Sequence, residues 1–233
     1  MTRGPSKGPR VLRDGPLPAL GRAFTAGTGR GLTSMKSDTD HGVLVLADIS
    51  GFTAFVSGTE LEHGPPIIAE LLEAVMRRLS PPLEIQEVEG DAVFALGSDR
   101  VIAPPGRLLD VLDDAFVAFK VRQDELAADV SCACRACRSV SALEIKIVAH
   151  HGRFLRQMVG AHRQVAGIDV ILAHQLLKNR WARGRAYLLL TEAALRWTGL
   201  DATRADLVAH TERYEHLGDV RCFVKDLGRV PAG

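Results

Sequence analysis

The sequence has no apolar run near the roughly 18–20 residues that a helix needs to cross a bilayer, which excludes a transmembrane helix and gives no reason to expect a membrane partner. It has no excess of charge either. Its 29 Lys and Arg stand against 28 Asp and Glu, so general nucleic-acid binding has no compositional support. The N-terminus is basic but lacks the apolar core of a secretory signal. Cysteine is scarce, and three of the four cysteines fall within six positions, which is no disulfide framework and points to a reduced compartment. What is present, 46% hydrophobic and 24% charged residues over 233 positions, is the balance of one globular, cytoplasmic domain with a tail.

Residues 1–41 are rich in Gly, Pro, Ser, Thr and Arg and carry no sustained period, so they are expected to be disordered. Two starts are open: Met1, or Met35, eight residues before the first apolar run, which would make the upstream segment a mis-called leader. Mass analysis of the native N-terminus distinguishes them. Residues 42–228 are expected to fold, with 229–233 a tail. "VLVLADIS" (43–50) is continuous enough for a buried central strand. "IIAELLEAVMRRL" has helical spacing after a Gly-Pro-Pro break, with arginines in its last turn. "LEIQEVEG" and "DAVFALGS" flank a Gly-Asp turn and read as a hairpin. A long amphipathic helix follows. Next come a strand "ALEIKIVAHHG", a turn and a second strand "RFLRQMV". "GIDVILAHQLLKN" reads as a helix capped by Asp169. A short strand, a short helix and two paired strands close the chain. The order β-α-β-β-α-β with additions predicts an α+β fold: a ferredoxin-like core, helices on one face of an antiparallel sheet, and a C-terminal β extension.

This order and its motifs resemble the catalytic domain of the class III adenylate and guanylate cyclases. "LADISGFTAF" is similar to that family's first strand and turn, "EVEGDAVFAL" to its Gly-Asp hairpin, and "LEIKIVAHHG" to its strand ending in His-x-Gly. "MVGAHRQVAGIDVILAHQLL" resembles the run into the helix that carries catalytic side chains, and "GDVRCFV" the last strand. The match spans roughly residues 43–227 in the right order. Together "LADISGF", "EGDAVF", the Cys-x-Cys-x-x-Cys run and "AHQLLKN" resemble an uncharacterised bacterial branch of cyclase-like domains.

The resemblance implies that Asp48 and Asp91 hold Mg²⁺ or Mn²⁺, two hard carboxylates whose shell substrate phosphates complete. It implies that the backbone around Ile49, Ser50, Gly51, Phe52 and Thr53 cradles the phosphates of a purine nucleoside triphosphate. The simpler alternative is that Asp48 caps a helix and Asp91 makes a turn. Glu87, three residues before Gly90, stands where a cyclase selects its base, and a carboxylate there suits guanine. Its helper position is Gln164, neither of the residues usual in the family. The family's Asn and Arg, which act on the transition state, align with Ile171 and Gln175, and its phosphate-binding Lys falls near Glu215. Each such donor is worth about 10²–10³ in rate in comparable sites, so little cyclisation is expected. Three escapes are open. Cyclase sites form between two chains, so a heterodimer with another cyclase-like chain can supply the missing groups; a homodimer is the other assembly that the resemblance implies. His174, Lys178, Arg180 or Arg156 can replace them, although "HQLLKN" reads more simply as a surface helix end. Or the domain only binds nucleotide and metal and signals through shape.

Cys132, Cys134 and Cys137 are spaced for a structural Zn²⁺ that braces their loop and takes no part in catalysis, with His150, His151, Cys222 or a second subunit as the fourth ligand. Free thiols are the plain alternative. The functional one is a redox switch, or a zinc or thiol sensor on a cyclase-like scaffold, with Arg135 and Arg138 lowering a thiol pKa.

Overall fold

The computed structural model describes residues 39–102, 104–129, 132, 134–179, 186–203 and 205–228. The expectations for residues 1–38, for Arg180 and for the tail at 229–233 lie outside them. In chain order the elements are β1 (Thr39–Ser50), α1 (Phe52–Gly58), α2 (Gly64–Leu79), β2 (Glu84–Glu89), β3 (Ala92–Ser98), α3 (Arg107–Ala128) and α4 (Arg135–Ser139). After them come β4 (Glu144–Val159), β5 (His162–Ala166), α5 (Ile168–Leu176), β6 (Tyr187–Thr191), α6 (Glu192–Thr198), β7 (Val208–Tyr214) and β8 (Gly218–Asp226).

The fold is the α+β, ferredoxin-like arrangement of the sequence reading, with the C-terminal strands extending the sheet. The strands lie in the order β2-β3-β1-β4-β6-β8-β7, with β5 paired to β4. The unbroken apolar run of β1 is explained by its place. Val43, Val45, Ala47 and Ile49 face α2 and α3, while Leu44 and Leu46 face Phe94, Phe154 and the α5 residues Val170 and Ala173. A strand buried on both faces has no polar side to alternate with. Helices therefore cover both faces of the sheet, not one, because α5 carries its own apolar residues. The sheet is also mixed, since β4 and β6 run parallel.

Two boundaries differ from the sequence reading. β1 begins at Thr39, because Thr39, Asp40 and His41 pair with Leu155, Phe154 and Arg153 on β4. And β4 is one strand of 16 residues, without the turn expected at Gly152. That glycine serves close approach instead: a Cβ on it would stand 2.5 Å from the Asp169 carboxyl carbon. Asp169 does not cap α5 by its side chain; its Oδ2 accepts from the Arg153 N–H at 2.7 Å and its Oδ1 lies 3.2 Å from His150 Nε2. His150 is buried, with Nδ1 2.9 Å from Thr191 Oγ1. The His-x-Gly run is thus a packing device: His150 joins β6 to α5, and Gly152 makes room for the carboxylate it meets.

Candidate functional site

The end of β1 and the β2–β3 turn converge. Asp48 pairs in register with Ala92, and the Ile49 N–H donates to the Asp91 carbonyl at 3.0 Å, so the turn is held against the strand end. Gly90 makes that turn with φ +61, where a side chain is disfavoured. The two aspartates open on a cleft of about 610 Å³ that Glu87 and Glu89 also line. The far wall is α5 and its end: His174, Leu177 and Lys178.

The cation facing these carboxylates is Lys146, on β4 directly across from Asp48. Its Nζ donates to Asp48 Oδ2 at 2.9 Å, with the two side chains only 21% and 19% exposed. Burial, and then the Asp48 carboxylate, push Asp91 above the ordinary carboxylate range, while a hydrogen bond with its own backbone and the charge of Lys146 act in the other direction. Burial lowers His174, Glu87 and Glu89 pull it back up, and Lys178 pushes it down. Its ring stands edge-on to Phe94 at 5.2 Å. The cleft therefore gathers six ionisable side chains besides His174, four of them carboxylates.

Not every residue singled out in the sequence reaches this cleft. Ile49 is buried in the core, and Phe52 packs against that core. Ser50, Gly51 and Thr53 follow the strand end but do not line the cleft. The Ser50 hydroxyl is buried, with no hydrogen-bond partner among the described residues. Ile171, 53% exposed, and Gln175 lie on α5 outside the lining. Lys178 and His174, both in "HQLLKN", are inside it. Arg156 is committed to Glu84 at 2.9 Å, Gln164 pairs with Gln157 on the β4–β5 arm, and Glu215 sits exposed beside His216. None of these three lines the cleft. Lys146 was missed in the sequence, although a lysine inside the alternation "LEIKIVA" was the available sign of an inward charge.

The cysteine run lies elsewhere. Cys132, Cys134 and Cys137 gather with His63, their ligand atoms all within 4.8 Å of one another. His63 precedes α2 and was not among the expected fourth ligands. His150 belongs to the Thr191–Asp169 contact, His151 stacks on Trp197 with Nε2 2.9 Å from Asp99, and Cys222 is buried between β6 and β7. The Cys134 thiol is pulled down to about 7, by the Cys137 backbone N–H first and then by His63, not by Arg135 or Arg138. Cys137 is pushed up to about 12, chiefly by Cys134 and burial.

Over 162 residues, 69% of this chain and 73% of the relative, the sequence is 29% identical to "Uncharacterized protein Rv2561/Rv2562" of Mycobacterium tuberculosis (strain ATCC 25618 / H37Rv). The fold is similar to the crystal structure of the guanylyl cyclase Cya2, with TM-score 0.64 and 15% identity over 81% of this chain and 92% of that one. It is similar also to the adenylyl cyclase CyaB from P. aeruginosa, with TM-score 0.63 and 16% identity over 82% of this chain and 96% of that one. At such identities the likeness is one of fold, and the fold is that of cyclase catalytic domains. Among the described residues no helix is long and apolar enough to cross a membrane. The model of the family described as "Protein of unknown function (DUF2652)" matches residues 68–185, about half of the sequence, and the chain belongs to that family.

Proposed function

We propose that the cleft binds a divalent cation, Mg²⁺ or Mn²⁺, together with a purine nucleoside triphosphate, and turns the nucleotide over slowly or not at all. The observation that carries this is the convergence of Asp48 and Asp91, with Glu87 and Glu89, on one cleft whose other side is Lys146, His174 and Lys178. The donor set fits a hard cation: carboxylate oxygens from two adjoining backbone segments, with no sulfur and one imidazole. A triphosphate entering alone would meet four carboxylates against two ammonium groups. With a cation held by Asp48 and Asp91 that repulsion is offset, so nucleotide and metal are expected to bind together. When bound, the ion neutralises phosphate charge and lowers the pKa of the ribose hydroxyl.

What the chain's own residues supply beyond that is binding more than catalysis. Lys178 offers a cation to phosphate, and Glu87 offers acceptors to the N–H edge of guanine. Ile171 and Gln175 bring no charge to a developing phosphate anion. Equilibrium dialysis of GTP and ATP, with and without Mn²⁺, tests the reading. Retention that requires Mn²⁺ is expected; no retention, or retention indifferent to metal, contradicts it.

The presence of His174 and Lys178 in the lining favours a second reading, a metal-dependent nucleotidyl cyclase with GTP preferred over ATP. It would use these relocated groups in a homodimer, or the groups of a complementary partner in a heterodimer with another cyclase-like chain. Cyclic nucleotide formation that disappears in Asp48→Ala and in Lys178→Ala separates it from the first.

A further inference from the structure

The His63–cysteine cluster lies outside the cleft and takes no part in the reading above. Its parts are brought together by turns that have hydrogen bonds of their own. The Glu60 carbonyl accepts from the His63 and Gly64 N–H groups at 3.1 and 2.8 Å, which fixes the histidine at the entry to α2. The Glu60 carboxylate accepts from the Arg135 and Ala136 N–H groups at 3.3 and 3.2 Å, and Arg135 Nη1 donates to the Gly58 carbonyl at 2.8 Å. One residue therefore staples the histidine turn to the Cys-x-x-Cys turn, with about 75 residues of chain between them. Within the second turn the Cys137 N–H donates to Cys134 Sγ at 3.4 Å, an arrangement that supports charge on that sulfur.

The distances suit one ion. In a tetrahedral site with Zn–S near 2.3 Å and Zn–N near 2.0 Å, ligand atoms stand roughly 3.5–3.8 Å apart. His63 Nδ1 lies 3.1 Å from Cys134 Sγ and 3.4 Å from Cys132 Sγ, and all four ligand atoms fall within 4.8 Å. Movements of a few tenths of an ångström to about one ångström bring them onto such a tetrahedron. Three sulfurs and one imidazole exclude Mg²⁺ and Ca²⁺ as the natural occupant and select a soft or borderline ion.

We propose that His63 Nδ1 and the thiolates of Cys132, Cys134 and Cys137 form a closed, structural Zn²⁺ site that clamps the entry of α2 to the start of α4. The four protein ligands fill the tetrahedron, so the site has no open position for water or substrate. The clamp closes a long stretch of chain, which is where a metal cross-link contributes most to stability. The Cys-x-x-Cys turn is also tied to the end of α1, since Arg135 donates to the Gly58 carbonyl.

Metal analysis of the full chain, purified under reducing conditions without added metal, is expected to find about one zinc per chain. His63→Ala should weaken Zn²⁺ by more than the ~10–100-fold that loss of a supporting partner costs. Asp48→Ala/Asp91→Ala should leave zinc unchanged, so failure here and failure of the nucleotide reading are distinguishable. Should a ligand variant fail to fold, the wild-type chain still decides. Iodoacetamide labelling should spare Cys132, Cys134 and Cys137 until a chelator is added, and Co²⁺ exchanged into the site should give the visible bands of tetrahedral thiolate coordination. Isolation without metal, wild-type Zn²⁺ affinity in His63→Ala, or a disulfide within the cluster would overturn the proposal.

Discussion

Lys146 Nζ lies 2.9 Å from Asp48 Oδ2, on the strand directly across from it, and the pair faces Asp91 across the β2–β3 turn. A lysine so placed partly does the work of a cation in the cleft. It offsets the repulsion between two carboxylates, and on the proposed reading it would compete with the metal for one of them.

Removing that competitor should strengthen metal binding. Lys146→Met is expected to tighten Mn²⁺ binding by about tenfold or more, since tenfold needs only ~1.4 kcal/mol and an adjoining unit charge exceeds that at intermediate dielectric. Mn²⁺ titration followed by electron paramagnetic resonance reads it. Unchanged or weaker binding would mean that Asp48 does not ligate the metal.

Gly152→Ala should destabilise the fold by about 1–3 kcal/mol, the usual cost of forcing an atom into a packed site. The added methyl would meet the Asp169 carboxylate, which is held between the Arg153 N–H and His150. Urea denaturation of the two proteins measures the difference.

His150 sets a pH dependence. Burial, the largest influence, lowers its pKa below the ordinary histidine value of 6.5; Asp169 opposes this and His151 adds to it. The unfolded chain therefore binds this proton more readily than the folded one. Stability is fully present above about 6.5 and is lost as pH falls through that value towards the folded pKa. Urea midpoints should fall between pH 7.5 and 5.5. His174, also lowered by burial, contributes to the slope, so His174→Gln should retain part of it and His150→Gln should flatten it further.

Gln123 is buried in α3 and its Nε2 donates to the carbonyls of Val140 and Leu143 at 2.8 and 2.7 Å. It thereby anchors the connection from α4 to β4. Gln123→Leu leaves two buried acceptors without this donor and is expected to cost about 1–3 kcal/mol in a thermal or urea melt. It should also raise the reactivity of Cys137 towards iodoacetamide once a chelator is present, because the segment that follows α4, which bears this thiol, loses its support.

The strands and long helices were legible in the sequence because their periods are set by burial. The continuous run of β1 and the amphipathic repeat of α3 leave few other placements. What the sequence hid depends on register and on long-range return of the chain. Whether Lys146 meets Asp48 is decided by antiparallel pairing across about a hundred residues, and no local pattern encodes it. His63 sits beside a Gly-Pro-Pro break that marks a helix start and says nothing about the cysteines it meets. Gly152 looked like a turn because glycine usually marks one in a strand pattern, whereas here the demand came from a carboxylate on another element. Asp48, Asp91 and Glu87, which line the cleft, were singled out through an ordered resemblance of motifs, whereas Arg156, weighed as a substitute from a new position, meets Glu84 outside the cleft.

The most direct test is calorimetry of GTP, and separately ATP, titrated into the full chain with Mn²⁺ present, beside the Asp48→Ala/Asp91→Ala variant. Binding to the wild-type chain that the double variant abolishes is the predicted result, with GTP the tighter of the two. Binding that survives loss of both aspartates, or no binding of either nucleotide to a folded wild-type chain, would contradict the account.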